Sequence, residues 1–569
     1  MDKWEVARAL DEIAKYLELS EPNRFKALAF ERAARAISAL DRDLRDLVAS
    51  EDLYKTPGVG ERTGAVIEEL LRSGRSQYLE ELRKQYPPAI FEMLRVPGMG
   101  LKKIGLLYQK LGISNLDELE AAARAGRLAT LRGFGAKTQQ KILDGVEKAR
   151  RHESRFLLPA GIETGELIRQ RLAAVDEIEN AEISGSVRRR LEVIRNVNIV
   201  VATRQPRRVI KALEKIVDRL EAIDESTAKG VARNQIDVWF HLAPPEEFGS
   251  ALLRTTGSDE FASAFLERAG KRTAAKEQDL FRLGRIPYID PERRETADDL
   301  RLKKRRSLVE LADLRGTFHV HTTFSDGRHT VLEMLTAARD RELEYVGLSD
   351  HSKTAYYAGG LTVEGLREQQ AEIERQRPAV KPLHVFKGTE ADILPDGSID
   401  YDAETLASFD FVIGSVHSKF AMPKDEMTER LLRALDNPFL TFLGHLTGRL
   451  LLSRDGYTME FDRVFERAAE RGVMIEINGN PRRLDIDWRL VGRALDRGVR
   501  FGIHPDAHSI HEYAALISGT WAARKAGLSA KEIFNTKPVE EVAEYLKVRR
   551  AKALRNPRYP NPGPSLRSG

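Results

Sequence analysis

The sequence predicts a multidomain chain in which helical N-terminal domains and a small α/β unit precede a C-terminal α/β barrel. Three paired-glycine turns lie between helical stretches near the start of the chain. Two strand-like runs with helical neighbours follow from about residue 150, and apolar runs alternate with amphipathic stretches after residue 314. The 569 residues suffice for several domains of roughly 100–200 residues each.

The composition indicates a soluble protein without disulfides. The chain is 42% hydrophobic and contains no Cys, and it has no apolar run of the roughly 18 residues that a membrane span requires. The N-terminus places Val6, Leu10, Ile13 and Leu17 on one helical face and lacks the apolar core of a secretion signal. These features predict a cytoplasmic protein. The net charge of +5 is only a weak indication of nucleic-acid binding.

The three paired-glycine turns occur at Thr56–Gly60, Val96–Gly100 and Leu131–Gly135. Two glycines permit a tight turn with positive φ, and the helix that follows presents free N–H groups to a phosphate. One such turn is common between core helices, but three turns, each followed by basic residues, predict helix-hairpin-helix modules that bind the DNA backbone. The candidate DNA-contacting residues are Gly58, Gly60, Arg62, Gly98, Gly100, Lys102, Lys103, Gly133, Gly135 and Lys137.

The middle of the chain predicts a small α/β unit. Val197–Ala202 and Ile236–Phe240 are strand candidates. A helical stretch at about 243–281 and a charged connector at about 290–313 follow. We place a domain boundary at this connector.

The C-terminal part repeats strand-then-helix units, which predicts a barrel of parallel strands wrapped by helices. Polar residues follow the strand ends, where such barrels carry their chemistry. The predicted strands are Tyr345–Leu348, Phe411–Val416, Val473–Ile477 and Arg500–Ile503, and the predicted helices cover 363–377, 459–471 and 488–498.

Ten of the 12 His fall between residues 316 and 511. His319 and His321 form an HxH pair on a predicted strand, so that both rings face one side. A single strand-end histidine is more often structural, but the joint pattern of imidazoles and carboxylates predicts a metal site for zinc, manganese or iron. The ligands are too many for one ion, and paired ions suit phosphoester hydrolysis.

With these residues, segment 314–510 resembles a PHP (polymerase and histidinol phosphatase) domain, which implies a distorted (β/α)7 barrel and two or three divalent ions, usually manganese. The resemblance implies nine ligands, with Glu390, His417 and Asp506 also catalytic. His319, His321, Glu390 and Asp506 would hold one ion, Glu390, His417 and His445 the second, and Asp326, His351 and His508 the third.

Gly444–Leu451 and Glu476–Asp485 are similar to the PHP domains fused to bacterial family X DNA polymerases. Asn23–Phe30 resembles the first helices of those polymerases, and Gly185–Arg189 resembles the signature that begins their nucleotidyltransferase palm. We expect Arg188 and Arg189 to contact DNA. The implied segments are helical domains at 1–82 and 83–149, a palm at 150–242, a thumb-like domain with linker at 243–300, the PHP domain at 301–546 and a disordered basic tail at 547–569.

The palm lacks the family's catalytic carboxylates. The expected Asp-x-Asp pair is replaced by Asn196 and Asn198, whereas the third carboxylate, Asp237, is present. Neutral amides do not balance the charge of magnesium. The family's Tyr-Phe-Thr-Gly-Ser segment reads Arg254–Ser258. We therefore predict that polymerase activity is lost.

The resemblance implies a nuclease that trims 3′ ends or abasic sites in gapped, nicked or 3′-blocked DNA, working as a monomer at the bacterial nucleoid. One alternative is an active gap-filling polymerase with exonuclease activity. Others are a small-molecule phosphatase of the histidinol-phosphatase type and a non-catalytic DNA-binding protein. Lys419 and Arg449 lie near predicted ligands in the sequence, and contact with phosphate or with solvent is equally consistent with that position.

Overall fold

A computed structural model describes residues 3–19, 24–38, 40, 44–50, 52–131, 133–151, 154–301 and 305–556. Asn23, Arg132 and the tail from residue 557 lie outside these ranges. The chain divides into two compact units, Met1–Glu153 and Ser154–Gly569. Among the described residues, no helix combines the length and the apolar character that crossing a membrane requires.

The first unit is helical, and its buried side chains form one continuous core from Val6 to Ala149. The expected boundary between residues 82 and 83 is wrong, because it falls inside a helix and both helical modules share this core. The helices are α1 (Lys3–Leu19), α2 (Arg24–Ser38), α3 (Leu44–Ala49), α4 (Glu61–Ser73), α5 (Gln77–Gln85), α6 (Leu101–Leu111), α7 (Leu116–Arg124) and α8 (Ala136–Arg151).

The three paired-glycine turns have the same backbone geometry. Their first glycines, Gly58, Gly98 and Gly133, have φ of 95°, 80° and 93°, a left-handed conformation that only glycine adopts without strain. In each turn the residue between the glycines donates its N–H to the carbonyl three residues earlier, over 3.0–3.1 Å. A helix then begins within two residues, at α4, α6 and α8.

The second unit begins with a five-stranded sheet in the order β2-β4-β7-β6-β5, in which only β4 and β7 are parallel. Its helices cover a core that includes Val197, Val238 and Phe240. The elements are β1 (Phe156–Leu157), α9 (Leu158–Leu172), β2 (Asn180–Ser184), α10 (Gly185–Arg188), β3 (Val193–Ile194), β4 (Asn196–Ala202), α11 (Pro206–Leu213), β5 (Arg219–Ala222), β6 (Thr227–Val231) and β7 (Asp237–Ala243).

Three helices follow: α12 (Phe248–Thr256), α13 (Asp259–Ala269) and α14 (Glu277–Leu283). The charged segment after them is not a loose connector, because Glu292 and Arg294 are buried. Arg294 pairs with Glu277 on α14, and Glu292 accepts a 2.8 Å hydrogen bond from Arg524 of the barrel. The segment therefore joins helices α12 to α14 to the barrel through ion pairs.

The barrel consists of seven parallel strands in sequence order, β8 to β14. Its edges meet through a bridge between Val320 and Ala507. The strands are β8 (Gly316–Val320), β9 (Tyr345–Leu348), β10 (His384–Asp392), β11 (Phe411–Ser415), β12 (Phe442–Leu443), β13 (Met474–Asn478) and β14 (Phe501–His504). The helices are α15 (Val331–Arg339), α16 (Val363–Gln376), α17 (Ala403–Leu406), α18 (Lys424–Leu435), α19 (Phe461–Arg471), α20 (Trp488–Leu495), α21 (Ala515–Lys525) and α22 (Val539–Leu554).

Aromatic rings fill the barrel interior. Phe318 is fully buried, and its ring centroid lies 4.8 Å from that of Phe411 and 5.2 Å from that of Phe442. Gly388 makes room for this layer, because a Cβ there would lie 2.3 Å from the Phe411 ring. The ring of His504 lies 4.7 Å from that of Phe442. The barrel is thus packed with apolar rings up to its histidines.

The expected disordered tail begins too early at residue 547. Helix α22 continues to Leu554, and Ala553 is buried. Arg549 donates hydrogen bonds to the carbonyl groups of Leu440 (3.0 Å) and Gly472 (2.9 Å). These contacts with the barrel stabilise a segment that looks like a basic tail in the sequence.

Candidate metal centre

The nine predicted ligands meet at the C-terminal ends of the barrel strands. Among the residues that the structure describes, five groups of His, Asp or Glu have ligand atoms within 4.8 Å of one another, and together they include all nine. Eight of the nine side chains lie on, or a few residues after, the ends of β8 to β12 and β14, and Asp326 lies in the turn after β8. The nine residues are His319, His321, Asp326, His351, Glu390, His417, His445, Asp506 and His508.

Glu390 lies at the middle of the centre. Its Oε1 is 2.9 Å from Nε2 of His445, 3.2 Å from Nε2 of His417 and 3.3 Å from Nε2 of His319. Its Oε2 is 2.9 Å from Nδ1 of His351. A carboxylate whose two oxygens face different imidazoles has the position that a bridging ligand requires.

Two further carboxylates flank Glu390. Oδ1 of Asp506 is 3.4 Å from Nε2 of both His319 and His321. Oδ1 of Asp326 is 3.3 Å from Nε2 of His508 and 3.6 Å from Nε2 of His351. The Asp326 side chain is 37% exposed, whereas that of Asp506 is 5% exposed. Asp326 therefore lies at the open side of the centre.

The HxH segment is not a regular strand. His319 has φ of 62°, and the pairing of β8 with β9 shifts register between Thr317 and Val320. His321 lies just after β8, and its N–H donates to the carbonyl of Ala507 over 2.8 Å. Both rings face the centre, as expected, but this bulge and the contact with the last strand orient them.

Two carboxylates that the sequence reasoning missed orient the imidazoles. Oε1 of Glu476 lies 2.5 Å from Nδ1 of His319, and Oδ1 of Asp392 lies 2.6 Å from Nδ1 of His417. Each contact places the ring proton on Nδ1 and leaves the Nε2 lone pair facing Glu390. Glu476 could have been found from the sequence, because it is a lone carboxylate in the apolar run of β13.

Asp350 anchors the turn that carries Asp326. It accepts hydrogen bonds from Thr322 N (2.7 Å) and Ser325 Oγ (2.6 Å), and from Nε2 of Gln369 (2.7 Å). Burial raises the pKa of Asp350 even though these donors lower it. The turn is thus fixed by a buried carboxyl group that does not face the centre.

The carboxylates and imidazoles of the centre strongly shift one another's pKa values. Burial disfavours ionisation of Glu390 and Asp506, yet the surrounding imidazoles hold both pKa values well below their usual range. Burial lowers the pKa of His319, but Glu476, Asp506 and Glu390 raise it well above its usual value. Burial and two neighbouring histidines lower the pKa of His321 to about 3. In the metal-free protein these charges favour a second proton on His319, which a cation bound at Nε2 would replace.

The donor set fits divalent cations. Within the described part of the chain, Nε2 of His319 and both ring nitrogens of His321 are buried without a hydrogen-bond partner. Such atoms destabilise a fold unless a ligand uses their lone pairs. Imidazole and carboxylate without thiolate suit zinc, manganese or iron.

Basic residues near the centre differ in their environment. Nε of Arg483 lies 3.4 Å from Oδ2 of Asp506. Arg449 is held by Asp487 and donates a 2.9 Å hydrogen bond to the carbonyl of Arg483, so its role is structural. Lys419 is exposed. Arg483 is thus the cation closest to a predicted ligand among these three.

The palm positions have a different arrangement from a metal site. Nδ2 of Asn198 donates to Oδ1 of Asn196 over 2.7 Å, and Nε2 of His241 lies 3.0 Å from Oδ1 of Asn198. Asp237 pairs with Nζ of Lys229 at 2.9 Å. One amide thus donates to the other, and the remaining carboxylate pairs with a lysine.

Arg188 and Arg189 do not have the environment expected for DNA contacts. Arg188 binds Glu277 through hydrogen bonds of 2.9 and 3.0 Å. Arg189 binds Glu295 over 3.0 Å and the carbonyl of Thr256 over 2.7 Å. Their side chains are 21% and 12% exposed. Both guanidinium groups therefore join the sheet to the helices that follow it.

The basic residues after the paired-glycine turns are accessible. Arg62, Lys102, Lys103 and Lys137 are all exposed on the first turns of α4, α6 and α8. Nζ of Lys103 donates to the carbonyl of Gly98 over 2.8 Å, and the guanidinium of Arg62 lies over the Tyr78 ring. Each turn therefore presents a cation beside free helix N–H groups.

Comparison with known families matches three parts of the chain. A helix-hairpin-helix domain model matches residues 1–76, and a SAM-like helix-hairpin-helix tandem model matches residues 90–148. A PHP domain model matches residues 317–480. The matched segments contain the three paired-glycine turns and seven of the nine predicted ligands.

Individual relatives extend these matches. The DNA polymerase/3′-5′ exonuclease PolX of Bacillus subtilis (strain 168) is 32% identical across 96% of this chain and 100% of the relative. A probable phosphatase of Caldanaerobacter subterraneus subsp. tengcongensis is 26% identical across 41% of this chain and 91% of the relative. A probable phosphatase of Clostridium acetobutylicum is 30% identical across 28% of this chain and 62% of the relative.

Proposed function

Because this chain belongs to the bacterial PolX-like family, which joins helix-hairpin-helix domains to a C-terminal PHP domain, we propose that it is a metal-dependent nuclease that trims DNA 3′ ends. The observation that carries the proposal is the convergence of nine imidazole and carboxylate side chains at one end of the barrel. The 3′–5′ direction rests on the similarity to the Bacillus subtilis protein.

The centre would hold two or three divalent ions, with manganese implied by the family resemblance and zinc or iron as alternatives. When bound, such ions polarise a phosphate and increase the acidity of water. Glu476 and Asp392 keep protons on Nδ1 of His319 and His417 and so direct the Nε2 lone pairs inward. We assign catalytic roles to Glu390, His417 and Asp506. The remaining proposed ligands are His319, His321, Asp326, His351, His445 and His508.

The apolar rings of the barrel strengthen this chemistry. Phe318 and Phe442 pack against His504, which contacts Glu476, and all four side chains are buried. Charge interactions are stronger where water is excluded in this way. Arg483 contributes positive charge beside Asp506, where it can attract a phosphodiester. Substrate would approach from the other side, near the half-exposed Asp326.

We further propose that the palm no longer polymerises DNA. The amide pair of Asn196 and Asn198 and the ion pair between Lys229 and Asp237 support this proposal. Magnesium binds through carboxylates and phosphates, and these positions offer it only one carboxylate, already paired. The helix-hairpin-helix turns would hold DNA through its phosphates, without reading sequence.

A trimming assay tests the nuclease. A 5′-labelled oligonucleotide with Mn²⁺ should shorten stepwise from its 3′ end, and His417→Ala should slow this at least roughly 100-fold because a ligand is lost. His384→Ala is the matched control, since His384 begins β10 at the opposite end of the barrel. Equal rates for both variants, or no shortening by the parent protein, would refute the proposal.

A small-molecule phosphatase is the second candidate, because the relatives that match a part of the chain are named probable phosphatases. It predicts faster hydrolysis of small phosphomonoesters than of DNA ends, and no dependence on the helical unit. Comparing kcat/KM for the two substrate classes with the same preparation separates the candidates.

A further inference from the structure

A short loop beside the centre presents two tyrosines to solvent. Tyr356 and Tyr357 are 84% and 65% exposed. Among the described residues, no other large apolar side chain is more than 48% exposed. Their ring centroids are 6.4 Å apart, with planes at 75°. Large aromatic side chains normally contribute to folding through burial, so neither position is explained by the hydrophobic core.

The loop is fixed to the centre at both ends. It begins directly after His351, whose carbonyl accepts a 2.8 Å hydrogen bond from the N–H of Leu361. Ser352 and Leu361 form a bridge. The N–H of Thr354 donates to Oδ2 of Asp400 over 2.7 Å. The tyrosines are therefore carried by a braced loop with its base at a proposed ligand.

The loop also lies against the turn that carries Asp326. Gly359 has φ of 70°, and a Cβ there would lie 3.4 Å from the carbonyl oxygen of Ser325. Ala355 and Ala358, on either side of the tyrosines, are buried. The tyrosines thus project from a packed base at the open side of the centre.

Charged groups of the centre shift the pKa of Tyr357. Partial burial, and then Asp392, Glu390 and Asp326, raise the pKa of Tyr357, whereas Arg483 lowers it. The hydroxyl therefore stays protonated at neutral pH. A neutral aromatic ring next to a phosphate-binding centre suits a nucleobase, because every base has a π face.

We propose that Tyr356 and Tyr357 form a stacking platform for the base of the 3′-terminal nucleotide, one ring stacking on its face and the other, at 75° to the first, contacting its edge. The proposal rests on the proposed nuclease function and assigns these two tyrosines to substrate positioning. Stacking tolerates all four bases, which suits a nuclease that removes successive nucleotides regardless of sequence. The rings bind the base, while the phosphodiester next to it reaches the imidazole and carboxylate layer.

Two substrates test the platform: an oligonucleotide with a normal 3′-terminal nucleotide, and the same strand ending in an abasic tetrahydrofuran residue. Tyr356→Ala with Tyr357→Ala should raise KM for the normal end by roughly 5- to 100-fold, the loss expected for one stacked base. The abasic end should be cleaved equally by variant and parent. Tyr356→Phe with Tyr357→Phe is the matched control and should behave as the parent, because the rings remain.

Fluorescence provides a second measurement that does not depend on cleavage. A strand with 2-aminopurine as its 3′-terminal base and a phosphorothioate last linkage should be quenched on binding the parent and the phenylalanine variant. The alanine variant should quench it much less. Equal quenching by all three proteins would overturn the platform.

The two proposals fail in different ways. If the parent cleaves normal ends but the alanine variant loses the same factor on abasic ends, or loses nothing on either, the platform is wrong and the nuclease stands. If the parent cleaves neither substrate, the nuclease proposal fails, and the quenching measurement alone decides whether these tyrosines bind a base.

Discussion

Buried carboxylates orient the imidazoles of the centre. His417 shows this clearly, because Asp392 fixes one ring nitrogen at 2.6 Å while the other faces Glu390 at 3.2 Å. His319 has the same arrangement between Glu476 and Glu390. The outer carboxylate holds the proton on Nδ1 and so fixes the tautomer. Its loss therefore weakens Nε2 as a ligand atom, although the ring itself remains.

Asp392→Asn should therefore weaken metal binding by roughly 10- to 100-fold, because an amide accepts the Nδ1 proton less strongly than a carboxylate does. Titration of the metal-free protein with Mn²⁺ by calorimetry measures this change. Asp396→Asn is the control, since Asp396 is an exposed residue that binds Ser398 in the next loop. Equal affinities for the two variants would contradict the assigned role of Asp392.

Sequence reasoning identified the nine side chains that converge but not the residues that orient them. The recurrence of imidazoles and carboxylates after apolar strands predicts a metal site, and the resemblance to the PHP domain specifies the nine residues. Asp392 also ends a strand, β10, but the sequence does not separate a carboxylate that orients an imidazole from one that would bind metal, because the contact with His417 forms only in the fold. The prediction that Arg188 contacts DNA fails for the same reason, because its partner Glu277 lies 89 positions away in the sequence.

In the five-stranded sheet, two amides stand where the family resemblance predicts metal-binding carboxylates. Asn196 and Asn198 lie on β4, and Nδ2 of Asn198 donates a 2.7 Å hydrogen bond to Oδ1 of Asn196. Burial lowers the pKa of His241, which lies beside Asn198 and so remains neutral. These neutral groups replace the like charges that two adjacent carboxylates would bring.

Asn196→Asp with Asn198→Asp should destabilise the protein in EDTA by about 1–3 kcal/mol, because a hydrogen-bond donor is lost and two negative charges become neighbours. Mg²⁺ should reverse part of this loss. Thermal unfolding with and without Mg²⁺ measures both effects, with Asn180→Asp at the exposed start of β2 as the control. An unchanged melting temperature in EDTA would contradict this description of the sheet.

The joint between the palm and the following helices depends on a buried ion pair. Burial raises the pKa of Glu277, but Arg294 and Arg188 lower it to about 2. The stabilisation is therefore complete above the usual glutamate pKa of 4.5 and is lost as the pH falls towards 2.

Glu277→Gln should lower the free energy of unfolding by roughly 3–5 kcal/mol at pH 7, because two arginines lose their buried partner. The difference from the parent should shrink as the pH falls below 4.5, since the parent carboxylate then becomes protonated. Denaturant unfolding at several pH values measures this, with the exposed Glu267→Gln as the control. A pH-independent difference would refute the assignment.

The secondary-structure elements were largely predictable. Most predicted strands and helices of the barrel agree with the structure to within two or three residues, because burial on both faces and amphipathic periodicity leave clear patterns. The bulge at His319 and the extension of α22 were not predictable. Both depend on contacts with distant segments, Ala507 for the bulge and Leu440 for the helix.

At the scale of the whole molecule, the chain combines a helical unit that carries the paired-glycine turns with an α/β unit that carries the candidate metal centre. If the turns hold DNA through its backbone, affinity should depend on salt in proportion to the number of phosphate contacts. Lys102 and Lys110 provide a direct comparison, because they lie in the first and last turns of the same helix, α6, and both are exposed.

Lys102→Ala should weaken DNA binding and reduce the slope of log K against log salt by roughly 0.7–0.9, the value for one phosphate contact. Lys110→Ala should change neither quantity, since it lies away from the paired-glycine turn. Fluorescence anisotropy at several salt concentrations measures both. Equal slopes for the two variants would show that the second paired-glycine turn does not contact DNA.

We propose a nuclease whose palm no longer polymerises DNA. The most direct test supplies a 5′-labelled gapped duplex with Mn²⁺, Mg²⁺ and all four nucleotides to the full-length protein, with His319→Ala/His321→Ala as the control. We expect the labelled strand to shorten from its 3′ end, never to lengthen, and to remain intact with the control. Extension of the strand by the parent protein or by the control would contradict the account, because Asn196 and Asn198 would then belong to a working polymerase.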